Sequence, residues 1–344
     1  MKKLLYTFSA VVFVACGASK DTATDNETNI DDAVPYAKTI TAKDLGKHLF
    51  VYASDEFEGR DTGEPGQKKA VNYLKDFYVS QGIASPLGGN DYFQEVPSEY
   101  LSNNRRGMTL KDSENVVAFI KGTEKPDEIV VLSAHLDHEG VKNGEIYNGA
   151  DDDGSGTVAI LEIAEAFKKA ADAGKGPKRS ILFLHVTGEE KGLLGSKYYT
   201  ENPIFPLANT VTNLNIDMIG RVDERHKGNP NYVYLIGSDK LSTDLHNISE
   251  AINKKYTQIE LDYKYNDEND PNRFYYRSDH YNFAKHNIPI IFYFNGTHAD
   301  YHRPTDTPDK INYEMLENRT RLVFHTAWEI ANRENRLVVD KATE

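Results

Sequence analysis

Residues 181–190 read ILFLHVTGEE, an apolar run that ends in a glycine turn and two adjacent glutamates. A short run of this kind, bounded by turn-forming residues, is typical of a strand buried in a sheet. Similar runs occupy residues 115–120, 129–134, 212–216, 232–236 and 290–294, and segments with helical spacing occupy residues 157–171, 239–254, 279–286 and 313–332. The alternation predicts a single three-layer α/β domain with a mixed, mostly parallel central β-sheet flanked by helices.

Side chains that can bind metal ions follow several of these predicted strands. They are His135, Asp152, Glu190, Asp217 and His302. Because ligands of such sheets bind beyond the carboxyl ends of the strands, we expect all five side chains to meet at one edge. Two imidazoles and three carboxylates form a suitable ligand set for two divalent ions, and Glu189 is then left over as a general base.

Each of these motifs has a simpler interpretation when it is taken alone. His135 could be a structural histidine whose second ring nitrogen donates to Asp137, and a glutamate pair could be solvated surface. One aspartate of GADDDGSG could cap the helix that follows, although the mutual repulsion of three carboxylates favours a bound cation. The same stretch matches a dinucleotide-binding pattern, but its anions would lie where a pyrophosphate must dock. His298 is a rival of His302 for the last position.

Composition limits the choice of partner. The chain has 344 residues, a formal net charge of -13 and one cysteine. Nucleic acid and anionic lipid are disfavoured as main partners, because a chain this acidic would repel them without a basic patch. A single cysteine excludes an intrachain disulfide, so stability must come from core packing and from bound metal.

The N-terminal residues 1–16, MKKLLYTFSAVVFVAC, have the layout of a secretory signal that ends at the cysteine. We predict a signal peptide over residues 1–15, a flexible acidic tether over residues 16–40 with Cys16 lipidated, and a catalytic domain over residues 41–344. The protein is then exported and anchored by lipid to a bacterial membrane, facing the periplasm or the cell surface. The alternative is a plain signal peptide with an incidental cysteine.

The order of these motifs resembles the M28 family of co-catalytic zinc aminopeptidases. The resemblance runs from about residue 41 to nearly the C terminus, and it includes ASDEFEGRDTGEPGQKKAVNYL at residues 53–74 and RSDHYNF at residues 277–283. It implies two zinc ions and peptide substrates. The two imidazoles also favour zinc, although a carboxylate-rich site could accept manganese or cobalt. By the same resemblance, His135 and Asp217 hold one zinc ion, Glu190 and His302 hold the other, and Asp152 bridges the two. Glu189 is then the general base, and Asp137 supports the site. The resemblance also implies a cis peptide bond between Asp152 and Asp153.

Two positions and three alternative functions remain open at this stage. Tyr276 or Arg277 is a candidate donor to the oxyanion, by position alone. A glutaminyl cyclase on the same fold, a catalytically silent peptide-binding lipoprotein, and a carboxypeptidase with nearly the same ligands are the rival interpretations. Other hydrolases are disfavoured because the chain has neither HExxH nor GxSxG.

Overall fold

The computed structural model describes residues 30–103 and 107–341, together with Met1. The predicted signal peptide, Cys16 and most of the predicted tether therefore lie outside the described residues and stay predictions. Within the described part of the chain, no helix is both long and apolar enough to span a membrane.

Eight strands form one sheet, and two more form a separate hairpin. The sheet strands are β1 (Phe93–Val96), β2 (Ser113–Ile120), β3 (Lys125–His135), β6 (Arg179–Val186), β7 (Thr210–Ile216), β8 (Tyr232–Ile236), β9 (Glu260–Asp262) and β10 (Ile290–Phe294), and the hairpin pairs β4 (Gly140–Lys142) with β5 (Glu145–Tyr147). The spatial order of the sheet is β1-β2-β6-β3-β7-β10-β8-β9. The central strands β6, β3, β7 and β10 run parallel to their neighbours in this group. The predicted mixed, mostly parallel sheet is confirmed.

The described helices are α1 (Val34–Ala37), α2 (Ala42–Tyr52), α3 (Pro65–Ser80), α4 (Ser98–Ser102), α5 (Gly156–Asp172), α6 (Leu194–Glu201), α7 (Thr243–Ile252), α8 (His280–Ala284) and α9 (Tyr313–Asn332). Two capping side chains explain where helices begin, because a hydroxyl oxygen can accept one of the N–H groups that a first turn leaves unpaired. Thr41 accepts from Asp44 N–H before α2, and Ser242 accepts from Leu245 N–H before α7. The second cap starts α7 later than the predicted residue 239.

The two faces of the sheet are buried against different helices, which gives the three layers. Successive residues of a strand point to opposite faces. In β3, Val130 and Leu132 join the larger apolar cluster with α2, α3, α5, α7 and α9, whereas Ile129 and Val131 join a smaller cluster that contains Tyr199 of α6 and residues of α8. Since both faces are covered, the central strands are buried along most of their length and are mostly apolar, as residues 181–186 indicate.

The N-terminal boundary of the packed domain differs from the prediction. The tether was expected to extend to residue 40, but Ala33, Ala37 and Ile40 are buried in the larger apolar cluster. Arg321 of α9 also donates to the carbonyl oxygens of Ala37 and Ile40. The helical segments here have only four residues each, so they are too brief to show a period in the sequence.

Candidate metal centre

Four of the five predicted ligands follow the parallel strands at one edge of the sheet. His135 is the last residue of β3, Asp217 directly follows β7, Glu190 lies in the turn after β6, and His302 lies in the loop after β10. The fifth, Asp152, lies in the segment that leads into α5. The structure brings all five side chains together.

The first cluster joins His135, Asp152 and Asp217. His135 Nε2 lies 3.1 Å from Asp152 Oδ1 and 3.6 Å from Asp217 Oδ1. The second cluster joins His302 to the other oxygen of Asp152 and to Glu190. His302 Nε2 lies 3.0 Å from Asp152 Oδ2 and 3.3 Å from Glu190 Oε1. Asp152 therefore offers one oxygen to each cluster, which is the geometry of a bridging carboxylate.

These spacings fit divalent ions with tetrahedral ligand sets. Two donor atoms that each lie 2.0–2.1 Å from one tetrahedral ion are about 3.3 Å apart. The charges also fit: burial alone would lower the pKa of His302, yet Asp152 and Glu190 raise it to about 10. His135 behaves in the same way. Burial alone would lower its pKa, yet Asp217 and Asp152 raise that pKa well above its ordinary value. The carboxylates therefore favour a positive charge at both clusters.

The three consecutive aspartates have different partners. Asp153 accepts backbone N–H groups from His135, Gly156 and Met218, and Asp151 accepts the N–H of Gly220. The peptide bond between Asp152 and Asp153 is cis, as the resemblance implies. Two aspartates therefore hold the surrounding backbone, and only the middle one faces the clusters.

Asp137 supports the site differently from the expectation that its carboxylate accepts from His135. Its backbone carbonyl lies 3.0 Å from His135 Nδ1, whereas its carboxylate lies 3.9 Å away. The carboxylate instead accepts the backbone N–H of Glu189 at 3.1 Å and the hydroxyl of Thr62 at 2.9 Å. Asp137, which lies just after His135 at the end of β3, thus connects this strand end to the turn that carries Glu189.

Glu189 borders a cleft beside the two clusters. The cleft has a volume of about 520 Å³ and is lined by Glu189, Glu190 and His302, among others. Burial raises the pKa of the Glu189 carboxyl well above its usual range, while His135 opposes this and Glu190 adds to it. Cations at the two clusters would act in the opposite direction, toward the ionised form.

A chain of polar side chains fixes Asp217. Ser278 donates to Asp217 Oδ2 at 2.6 Å, and Asn215 donates to Ser278 at 2.9 Å. Ser133 in turn donates to the side-chain oxygen of Asn215 at 2.6 Å. Sequence reasoning did not assign these residues, although polar residues inside otherwise apolar runs were a visible signal.

Three further residues at the centre were missed. His138 Nδ1 lies 2.9 Å from Glu190 Oε1, and Glu139 Oε1 lies 3.7 Å from His302 Nδ1. The ring of Tyr301 stacks on that of His302, with centroids 4.0 Å apart. His298, the rival of His302, lies instead 3.2 Å from the carboxylate of Asp151. The motif HLDHEG contained the first two residues, but only its first histidine was considered.

The two predicted oxyanion donors lie on the wall of the cleft. Tyr276 is 44% exposed, and the guanidinium of Arg277 lies over the ring of Phe274. Hydrogen bonds from either side chain to the two clusters are absent among the described residues, so their role stays a prediction. A small pocket of about 30 Å³ adjoins the centre and is lined by Asp152, Glu189, Asp217, Met218, Phe274, Arg277, Phe292, Phe294, Tyr301 and His302.

Comparisons with known proteins relate this chain to a peptidase family. The family model described as Peptidase family M28 matches residues 115–327. Leupeptin-inactivating enzyme 1 of Streptomyces exfoliatus is 28% identical over 273 residues, which cover 78% of this chain and 52% of that protein. This chain thus spans about half the length of that curated relative.

Solved structures share the fold. The LapA aminopeptidase of Legionella pneumophila has a TM-score of 0.66 at 22% identity, covering 89% of this chain and 76% of that one. An aminopeptidase from Aneurinibacillus sp. strain AM-1 has a TM-score of 0.64 at 18% identity, covering 90% of this chain and 98% of the other. At these identities the likeness shows the fold alone.

Proposed function

The chain belongs to peptidase family M28, and on that premise we propose that it is a zinc-dependent aminopeptidase that releases N-terminal residues from peptides. One observation carries the proposal. Asp152 presents its two oxygens to two separate groups of ligands at the floor of a cleft, and Glu189 stands beside them. That arrangement suits a reaction in which two ions and one base act on a single bond.

The bound ions and the side chains of the protein would have different roles in the reaction. Two bound divalent ions would lower the pKa of a shared water and polarise the scissile carbonyl. Glu189 is proposed to take the proton of that water and to return it to the leaving amine. Burial raises the pKa of Glu189, and bound cations would act in the opposite direction, toward the ionised form that a base needs.

The side chains around the centre bear on substrate binding. Met218, Phe292 and Phe294 line the small pocket of about 30 Å³ beside the centre, so apolar groups border the two clusters. The larger cleft of about 520 Å³ is the part of the site with room for a peptide end. The aminopeptidase direction is supported by the fold that this chain shares with the solved aminopeptidases.

A carboxypeptidase is the second candidate, because the outer wall of the cleft carries cations. Lys197, Arg277 and Lys285 line it, and its two carboxylates, Glu189 and Glu190, belong to the metal centre. These cations could bind the carboxylate at the C terminus of a substrate. A glutaminyl cyclase with a single zinc and a silent binding protein are less well supported, since two complete ligand groups and Glu189 are all in place.

The test uses one peptide in three forms: with free ends, with an acetylated N terminus, and with an amidated C terminus. We expect the purified protein to trim the free and amidated forms from the N terminus, to leave the acetylated form intact, and to lose activity in chelator. The substitution Glu189→Gln is expected to lower kcat by about 10²–10⁴ while zinc content stays unchanged. Glu224→Gln, which alters an exposed glutamate, is the matched control.

Three results would count against the proposal. Cleavage of the acetylated but not the amidated form would indicate the carboxypeptidase. Full activity after thorough chelation would remove the ions from the reaction, and unchanged kcat in Glu189→Gln would remove Glu189 from proton transfer.

A further inference from the structure

His138 is a buried imidazole at the metal centre that none of the roles above uses. We propose that His138 is an additional ligand of the second ion, the one that Glu190 and His302 hold. This inference rests on the proposed two-ion centre. It makes the centre asymmetric, since the second ion would have four protein donors and the first ion, on His135, Asp152 and Asp217, would have three.

The position of the imidazole supports this role. His138 Nδ1 lies 2.9 Å from Glu190 Oε1 and 3.8 Å from Asp152 Oδ2. These same two oxygens lie 3.3 Å and 3.0 Å from His302 Nε2. Both imidazoles therefore lie near the same two carboxylate oxygens, and their rings are arranged edge to face with 5.7 Å between centroids.

The ring nitrogens of His138 are available to bind an ion. The side chain is fully buried, and neither ring nitrogen makes a hydrogen bond of normal geometry within the described residues. A buried polar group without a hydrogen-bond partner is destabilising. A bond from Nδ1 to a metal ion would remove this cost for Nδ1, because the nitrogen already faces the oxygens that would share the ion. The ring nitrogens of His298 also lack a hydrogen bond of normal geometry within the described residues, but that imidazole lies beside Asp151 rather than beside Glu190 and Asp152.

The backbone around His138 is shaped to hold this ring in place. A side chain at Gly149 would put its Cβ 2.4 Å from Cγ of His138, so the glycine leaves the space that the imidazole fills. The backbone N–H of His138 donates to the carbonyl of Arg60 at 3.2 Å. The guanidinium of Arg60 in turn donates to the carbonyls of Leu136 and Gly149, on either side of the ring.

The difference between three and four protein donors predicts different behaviour for the two ions. Four protein donors hold a zinc ion more firmly than three, and the second ion would become five-coordinate when it also binds the shared water, whereas three protein ligands leave an open tetrahedral position. We therefore expect the second ion to bind more tightly. The ion on His135, Asp152 and Asp217 is then the one that exchanges more readily.

The experiment compares zinc binding to the wild type, His138→Ser and His298→Asn. His298 is the matched control, because its side chain is also nearly inaccessible to solvent but contacts Asp151 instead. Competition with a chelator of known affinity, with zinc counted by mass spectrometry, should give two dissociation constants for the wild type. His138→Ser should weaken one of them by at least about 100-fold and leave the other within a few-fold, and His298→Asn should change neither by that much.

The second measurement is a zinc-edge anomalous map of the wild-type protein, and it tests the inference even if the His138→Ser variant does not fold. It should place Nδ1 of His138 about 2.0–2.1 Å from the second ion. Unchanged binding constants in a folded His138→Ser variant, or an Nδ1 atom beyond bonding distance in the map, would overturn the inference while leaving the two-ion centre intact. A wild-type protein that binds fewer than two ions would instead refute the proposed centre itself.

Discussion

Glu162 is a glutamate buried in the middle of α5, away from the metal centre, and it should make stability depend on pH. Its Oε1 lies 3.6 Å from Nε2 of His48. Burial raises the pKa of Glu162 from its usual 4.5 to about 8. The folded protein therefore keeps a proton that the unfolded chain has lost, so the stabilisation is complete below pH 4.5 and is lost as the pH rises through 8.

His48 acts in a lower range, since burial lowers its pKa from 6.5 and its effect ends near that pH. Between pH 6.5 and 8 the effect of Glu162 alone should lower the free energy of unfolding by on the order of 1–2 kcal/mol. We expect Glu162→Gln to remove this fall, measured by urea denaturation in zinc-containing buffer. Asp172→Asn at the end of the same helix is the control, because Asp172 is exposed and ion-paired with Lys168; an equal effect of both substitutions would contradict the assignment.

At the scale of elements, Arg60 connects three segments by donating only to backbone carbonyls. Its guanidinium bonds to Leu136 after β3, to Tyr52 at the end of α2, and to Asn148 and Gly149 before the aspartates. Arg60→Met keeps much of the side-chain volume but leaves these buried acceptors without a donor. We expect the free energy of unfolding to fall by about 3–5 kcal/mol in urea denaturation, a cost typical of breaking a buried network.

The control for Arg60→Met is Arg225→Met, because Arg225 is exposed and makes one ion pair with Asp262. A surface pair contributes about 0–1 kcal/mol, so this change should have a small effect. If the two substitutions destabilised the protein equally, the carbonyl contacts of Arg60 would not be its main contribution.

The strands of the sheet centre could be predicted from sequence because burial on both faces makes them mostly apolar. Residues 232–236 and 290–294 are strands with the predicted bounds. The edge strands β1 and β9 have only four and three residues and are partly exposed, so they have no comparable signal. Their strand conformation depends on pairing with β2 and β8, which local sequence does not encode.

The metal ligands that could be predicted from sequence are those whose position depends on a buried strand. Position at the end of a parallel strand was enough to bring His135 and Asp217 to one edge. His138 has no such position, since it faces the centre only because Arg60 and Gly149 fix the loop around it. The backbone of His302 is also in the left-handed region, with φ at 53°, a conformation that its neighbours in sequence do not specify.

For the whole molecule, the proposed ions should contribute measurably to thermal stability. The ligands come from five segments, which follow β3, β5, β6, β7 and β10. An unfolded chain cannot bring these segments together, so ions that bind the folded state stabilise it by mass action. Zinc at 1,000 times its dissociation constant adds about 4 kcal/mol per site, and for a domain of this size its removal should lower Tm by on the order of 10 °C.

Calorimetry or circular dichroism of the chelated and zinc-loaded protein measures this shift, and Glu189→Gln is the informative variant. Glu189 is not a proposed ligand, so the inactive variant should show the same zinc-dependent rise in Tm as the wild type. The substitution Asp152→Asn removes charge from the bridge and should abolish most of the rise, because both ions share that carboxylate. An equal Tm with and without zinc in the wild type would mean that the ligand groups do not bind ions in the folded state.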